Sequence, residues 1–286
     1  MWGRFNSFID TSAAALWNAA VDLWLPALIF AAIALAARGA ASIATARNAA
    51  GEIRTNVILN IVDIVFIGPI VALSIGAAGA WLQRSGWMLF DPAQWRALPT
   101  WLVMLLAVFA GDFIGYWRHR LEHTAILWPA HAIHHSDTRM TWTTLFRFHP
   151  INRLSTAIID TTTLALLGFP PEALVANNLV RHYYGMFIHM DLPWTYGALS
   201  RVFVSPAMHR WHHIRDADGA GVNFATVFSV FDQAFRTYHV PGPCTVPLGV
   251  RDDVGQGAIA QLLWPLKVAV AWTARVLMRR PQREPA

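Results

Sequence analysis

Apolar residues in this chain gather into long stretches instead of alternating with polar ones at a helical period. Residues 21–37 form one stretch, which reaches back through 13–16 if the helix is tilted. Residues 57–82 form a longer one, interrupted at Gly68-Pro69 and carrying Asp63. A third opens at residues 101–110 and runs through Gly111-Asp112 and Tyr116-Trp117 into a histidine-rich segment. Each approaches the roughly 20 residues needed to cross a hydrocarbon core. Residues 154–168 and 172–190 are shorter and joined by Phe169-Pro170-Pro171, whose prolines stop one helix and start the next. They carry Asp160, Thr161, Thr162, Thr163, Asn177, Asn178, Arg181 and His182, which predicts a tight hairpin lining an internal cavity. Residues 257–278 mix leucines and Trp264 with Pro265, Lys267 and Arg275, which predicts an amphipathic helix in the membrane interface.

The pattern predicts an all-α, polytopic integral-membrane protein of about four spans or span-like hairpin helices, with a histidine-rich helical cap on the cytoplasmic side. Three parts are expected within a single structural domain: N-terminal transmembrane helices over 1–98, a catalytic core over 99–245, and a C-terminal interfacial helix and tail over 246–286. Composition agrees, with 55% hydrophobic and 14% charged residues, where soluble domains carry about a quarter charged. Trp24, Trp81, Trp101 and Trp264 sit at ends of apolar runs, where indole rings settle at a bilayer surface. Residues 1–10 lack the basic region and small-residue site of a secretory signal, so the first stretch is expected to remain as a span.

The net charge of +5 comes from arginine, with Lys267 the one lysine. No basic patch interleaved with aromatics points to nucleic acid, so lipid headgroups are the expected partner. Arg38, Arg47 and Arg54 follow the first stretch, and Arg118, Arg120, Arg139, Arg147, Arg153, Arg210 and Arg215 accompany the histidines. The positive-inside rule then puts the first loop and the histidine runs in the cytoplasm and residues 83–99 outside, in an inner (cytoplasmic) membrane.

Eight of the 12 histidines fall in three short runs, 119–123, 131–135 and 209–213. Helix residues three and four apart share a face, so each run aims two or three imidazoles at one point. Single core or surface histidines scatter; three convergent runs predict a metal centre. Imidazole suits Fe, Zn, Cu and Ni, and eight rings exceed what one ion holds, so two ions sharing the runs are expected. A zinc hydrolase needs three protein ligands and a water, which leaves most of these rings unused. Glu-x-x-His bundles do not fit, because only Asp112 and Glu122 offer carboxylates beside the runs. Cys244 stands alone, which excludes an intrachain disulfide and cysteine-ligated clusters.

Asp112-Phe-Ile-Gly-Tyr116-Trp-Arg118-His119-Arg-Leu-Glu-His123 resembles the D-x-x-x-Y-x-x-H-R-x-x-H opening of the fatty acid hydroxylase/sterol desaturase superfamily. Leu127-Trp-Pro-Ala-His131-Ala-Ile-His134-His135-Ser136 is similar to its second box, Arg147-Phe-His149-Pro150 to its R-x-H-P element, and Phe187-Ile-His189 to its lone-histidine box. Ser205-Pro-Ala-Met-His209-Arg-Trp-His212-His213 resembles the last box, and Asn223-Phe-Ala and Phe231-Asp232-Gln-Ala-Phe-Arg-Thr237-Tyr238 resemble the segments that follow it. The match runs in order from about residue 100 to 240.

The resemblance implies a membrane-bound, non-haem di-iron oxygenase that hydroxylates or desaturates a lipid alkyl chain or sterol-like substrate with O2 and external electrons. Two Fe ions would be held by His119, His123, His131, His134, His135, His189, His209, His212 and His213, with zinc a substitute on overexpression. Gly185 stands where some relatives carry a further histidine, which makes His149 and His182 candidates to complete the set. Asp112, Asn223 and Asp232 are candidates to orient ligands from behind; their plainer roles are ion pairing and turn formation. No dinucleotide fingerprint, flavin site or haem domain is visible, so a separate electron-donor protein is expected. Two alternatives remain: a non-enzymatic metal-binding or transport protein, and a zinc-dependent lipid hydrolase.

Overall fold

A computed structural model describes residues 2–215 and 221–278. Among them every regular element is helical, and extended pairing is limited to two isolated bridges, Phe203–Phe228 and Ile214–Leu248. Three helices among the described residues are long and apolar enough to cross a membrane. They are Ile9–Arg38 within α1 (Trp2–Arg38), the run Ala50–Ser85, and α6 (Thr100–Glu122). In the first two, 6% of the apolar window is buried by protein, against 44% in α6. Lipid must therefore cover α1 and Ala50–Ser85, whereas α6 is half enclosed by its own chain. The chain is a membrane protein.

Ala50–Ser85 stays helical throughout, which corrects the interruption read at Gly68-Pro69. α3 (Ala50–Val62) passes through a widened π-type turn, Asp63–Ile67, into α4 (Gly68–Ser85). The wide turn lets Gly68 N–H bond to the carbonyl of Asp63, five residues back. Pro69 has no N–H to lose and sits in the first turn of α4, where that costs nothing. α2 (Ala41–Asn48) links α1 to α3.

The chain turns back at Phe169-Pro170-Pro171 as expected, but the hairpin is not tight: its arms pack on α6 rather than on each other. α8 (Pro150–Ser155), a π-type turn at Thr156–Thr161 and α9 (Thr162–Leu166) form one arm, and α10 (Pro171–Ile188) forms the other. The 83–99 loop, with α5 (Pro92–Arg96), closes over its tip: Leu89 N–H donates to Leu166 O at 2.8 Å and Trp95 stacks on Phe169 at 4.2 Å. Gly168 makes this approach feasible. Its φ is +72°, and a Cβ there would stand 2.0 Å from Phe90 O.

α6 and α10 cross at two glycines. A Cβ on Gly111 would meet Asn177 Oδ1 at 2.0 Å, and one on Gly115 would meet Arg181 Nη2 at 1.9 Å. The small residues on α6 thus form a groove for two polar side chains one turn apart on α10. Among the described residues four more α-helices, α7 (Trp128–His135), α11 (Pro206–His212), α12 (Val230–Ala234) and α13 (Gly257–Met278), and two 3-10 helices, Trp142–Phe146 and Gly197–Arg201, complete the fold. α13 is not among the helices apolar enough to span. It buries Ala258 against Leu59 and Ile133 and leaves Ile259, Leu266 and Val270 exposed.

Candidate metal centre

Four helix ends carry the histidines. His119 lies in the last turn of α6 and His123 directly follows that helix; His131, His134 and His135 lie on α7. His189 follows the last residue of α10, while His209 and His212 lie on α11 with His213 just beyond it. The structure brings these nine rings into two groups. His119, His123, His131, His135 and His212 form one, and His134, His189, His209 and His213 the other, each with its ligand nitrogens within 4.8 Å of one another. The H-x-x-H-H spacing explains the division. On α7 the i, i+4 pair His131/His135 serves the first group and His134 the second; on α11 the pair His209/His213 serves the second and His212 the first.

Distances within the groups fit metal ligation. Nε2 of His119 stands 3.0 Å from Nε2 of His131 and 2.9 Å from that of His212, and His135 is 3.2 Å from His131. In the second group His189 is 3.2 Å from His134 and 2.9 Å from His209, and His213 is 3.2 Å from His209. Ligands about 2.1 Å from a shared ion, at tetrahedral to octahedral angles, lie about 3.0–3.4 Å apart. Tautomers agree as well. His119 Nδ1 donates to Phe224 O at 2.8 Å, His212 Nδ1 to Val222 O at 2.7 Å, and His189 Nδ1 to Gly185 O at 2.6 Å, so each Nε2 lone pair faces its group. Burial and the neighbouring imidazoles hold His135, His209 and His213 well below the usual histidine range, and burial brings His212 to about 4. These neutral nitrogen donors, facing one another with their lone pairs, suit a divalent cation.

The segment that supplies Val222 O and Phe224 O is clamped from three sides. Asp112 accepts the N–H groups of Thr226, Val227 and Phe228 at 3.1, 2.9 and 2.7 Å. Asp232 accepts those of Phe224 and Ala225 at 2.7 and 3.0 Å and the Thr237 hydroxyl at 2.7 Å. Asn223, at φ +60°, donates to Met208 O and His239 O and accepts from His239 N–H. Each of the three candidates therefore lies one step further from the rings than the sequence reading set them, holding backbone that in turn holds His119 and His212. Asp112 does not pair with Arg118, whose partners are Asp160 and Glu122.

His149 and His182 are not brought into either group. His149 caps α8 by accepting Ile151 N–H and donates through Nε2 to Leu262 O at 3.2 Å, so both ring nitrogens are engaged elsewhere. His182 lines a cavity of about 470 Å³ that reaches His119, His131, His134, His189 and His209. The cavity's lining includes the apolar Val71, Ile75, Leu145 and Phe146 and the polar Arg153, Asp160, Arg181 and Asn178. Gly185 lines it too, with Leu145 at 3.2 Å from where a Cβ would stand.

Sequence reasoning missed the buried ionic chain along this cavity. Arg118 reaches Glu122 at 2.7 Å and Asp160 at 2.8 Å; Arg181 reaches Asp160 at 2.8 Å and Asp112 at 3.6 Å. The signal was present as Gly111-x-x-x-Gly115 on one helix and Asn177-x-x-x-Arg181 on its partner, a small-residue face matched to a polar one.

Residues 104–237 match the family model of the fatty acid hydroxylases. The ornithine lipid hydroxylase of Rhizobium tropici is 32% identical over 178 residues, covering 62% of this chain and 53% of that protein. The alkylglycerol monooxygenases of Caenorhabditis elegans and Danio rerio are 31% and 30% identical, over 50% and 58% of this chain and 28% and 36% of their own lengths. This chain thus spans about half of the first relative and about a third of the others. No solved structure gives a significant match. The family read from the histidine boxes is borne out: the chain carries a fatty acid hydroxylase domain over residues 104–237.

Proposed function

We propose that this protein is a membrane-bound lipid hydroxylase with a di-iron centre held by the nine histidines, using O2 and electrons from a separate donor protein. The observation that carries the reading is two histidine groups bordering one cavity lined by both apolar and charged side chains. Two iron ions bound there would supply the activation of O2 and the removal of hydrogen from an unactivated C–H bond. The chain's own residues do the rest. Val71, Ile75, Leu145 and Phe146 take an alkyl segment and exclude water, while Arg153 and Asn178 offer polar contacts to a headgroup. Such a mixed lining suits an amphiphile better than a sterol, and the matched relatives are named for an ornithine lipid and an alkylglycerol.

In this reading residues 1–98 anchor the chain, 99–245 form the catalytic core, and 246–286 add the interfacial helix and tail. The arginine distribution supports a cytoplasmic histidine cap in an inner membrane. Transport is disfavoured because the ligands cluster at helix ends and on short helices, and zinc hydrolysis because nine imidazoles exceed its needs. Mass spectrometry of membrane lipids from cells with and without the gene tests the function. A lipid gaining one oxygen atom in the presence of the gene is expected; loss of two hydrogens would make it a desaturase. A change that persists without O2 would contradict the proposal.

A further inference from the structure

Glu122 closes α6 one residue before His123, and nothing above assigns it a part in the centre. Its side chain is 1% exposed and strongly held: Arg118 donates to Oε2 at 2.7 Å and Ser155 to Oε1 at 2.5 Å. With Arg118 and Ser155 on its two oxygens, Glu122 is not part of either group of ligand atoms. It does have one more neighbour. Oε2 lies 3.4 Å from Nδ1 of His131.

His119, His189 and His212 give their Nδ1 protons to main-chain carbonyls. His131 instead meets two side chains there, Glu122 and the Asn152 carboxamide, whose nitrogen is 3.2 Å away. The two have opposite consequences. An Asn152 N–H donating to Nδ1 leaves the ring proton on Nε2, aimed at His119 and His135, where it blocks ligation. A carboxylate accepts a proton from Nδ1 and leaves the Nε2 lone pair for the metal. A bond to an ionised acceptor is roughly twice as strong as a neutral one, so the carboxylate prevails. Turned end for end, the Asn152 carboxamide then presents Oδ1 to the same proton; Oδ1 is otherwise buried without a partner.

We propose that Glu122 is a positioning residue that fixes His131 as the Nδ1–H tautomer and so sets the metal affinity of the five-histidine group. This rests on reading those imidazoles as ligands. It also gives the ionic chain a purpose: Asp112, Arg181, Asp160 and Arg118 end in the carboxylate they hold against His131.

The test is Co(II) binding to the metal-stripped full-length protein in detergent, read as equivalents retained against a chelator and as the visible absorption of each site. Wild type should hold two ions. Glu122→Gln should keep one at wild-type affinity and bind the other roughly 10–100-fold more weakly. Adding Asn152→Asp, which places a carboxylate at the same nitrogen, should restore it. If Glu122→Gln does not accumulate folded, Asn152→Leu carries the test: with Glu122 setting the tautomer, both ions should stay at wild-type affinity. Unchanged affinity in Glu122→Gln, weakening that Asn152→Asp fails to repair, or loss of the five-histidine ion in Asn152→Leu overturns the inference. Fewer than two ions on wild type would instead overturn the proposed function, and the inference with it.

Discussion

The two histidine groups draw on the same two helices, α7 and α11, yet are secured by different means. In the five-histidine group, His119 and His212 depend on the carbonyls of Phe224 and Val222, in a segment with no helix of its own. That segment stays in place through Asp112, more than 100 residues earlier in the chain, and through Asp232 and Asn223. The four-histidine group is held locally. His189 bonds to the carbonyl one turn back on its own helix, and Phe148 stacks on the His134 ring at 4.5 Å and 9°. All four of its rings are buried, whereas His119 and His123 in the other group are half-buried. One group is assembled by tertiary clamps and the other by short-range geometry, so a disturbance far along the chain should reach the first and spare the second.

Removing a ligand gives the largest effect and should leave the groups distinguishable. His135→Ala should lose the ion of the five-histidine group, and His213→Ala that of the four-histidine group. Turnover should fall in both beyond the roughly 10–100-fold cost of losing an outer partner. Metal analysis combined with product detection checks this; equal loss of both ions in both variants would erase the distinction.

Asp112→Asn comes next. It removes a buried charge that collects three backbone N–H groups and faces Arg181, at a cost of about 3 kcal/mol in stability. Where the variant folds, the five-histidine group should bind metal more weakly while the four-histidine group keeps its affinity. Thermal unfolding and two-site Co(II) titration report both effects.

Acid should act on the two groups alike, which makes it the control. His135, in one group, and His209 and His213, in the other, lie below the usual histidine range because burial penalises their charged forms, and burial places His212 at about 4. Above about pH 6.5 folded and unfolded rings are neutral, and these groups add no pH dependence. Between about pH 6.5 and 4 the unfolded chain binds protons that the folded one refuses, so metal-free protein loses stability as pH falls. Bound metal competes with those protons and should shift the loss to lower pH. Denaturant melts of both forms against pH give the measurement.

The spans, the turn between residues 168 and 171 and the convergence of eight histidines were legible because apolar length and i, i+3/i+4 spacing are local properties; His189 was reached through the family resemblance alone. How the histidines divide was not read, although the H-x-x-H-H spacing contains it: a pair one turn apart points to one group and the odd ring to the other. The break assigned to Gly68-Pro69 failed because a π-type turn absorbs a proline without ending the helix. Asp112 was singled out, but its hydrogen-bond partners are backbone N–H groups more than 100 residues away in sequence, which no side-chain pattern records. His149 looked like a spare ligand because its R-x-H-P setting shows a histidine without showing that Ile151 N–H and Leu262 O occupy its nitrogens.

The central claim is that the nine rings form two separate metal sites. Protein purified without oxygen from iron-replete, zinc-poor cells should contain close to two iron ions per chain, and removing His134, His189 or His213 should lower that to one. A wild-type content of one or fewer under those conditions, unchanged on adding Fe(II), would contradict it.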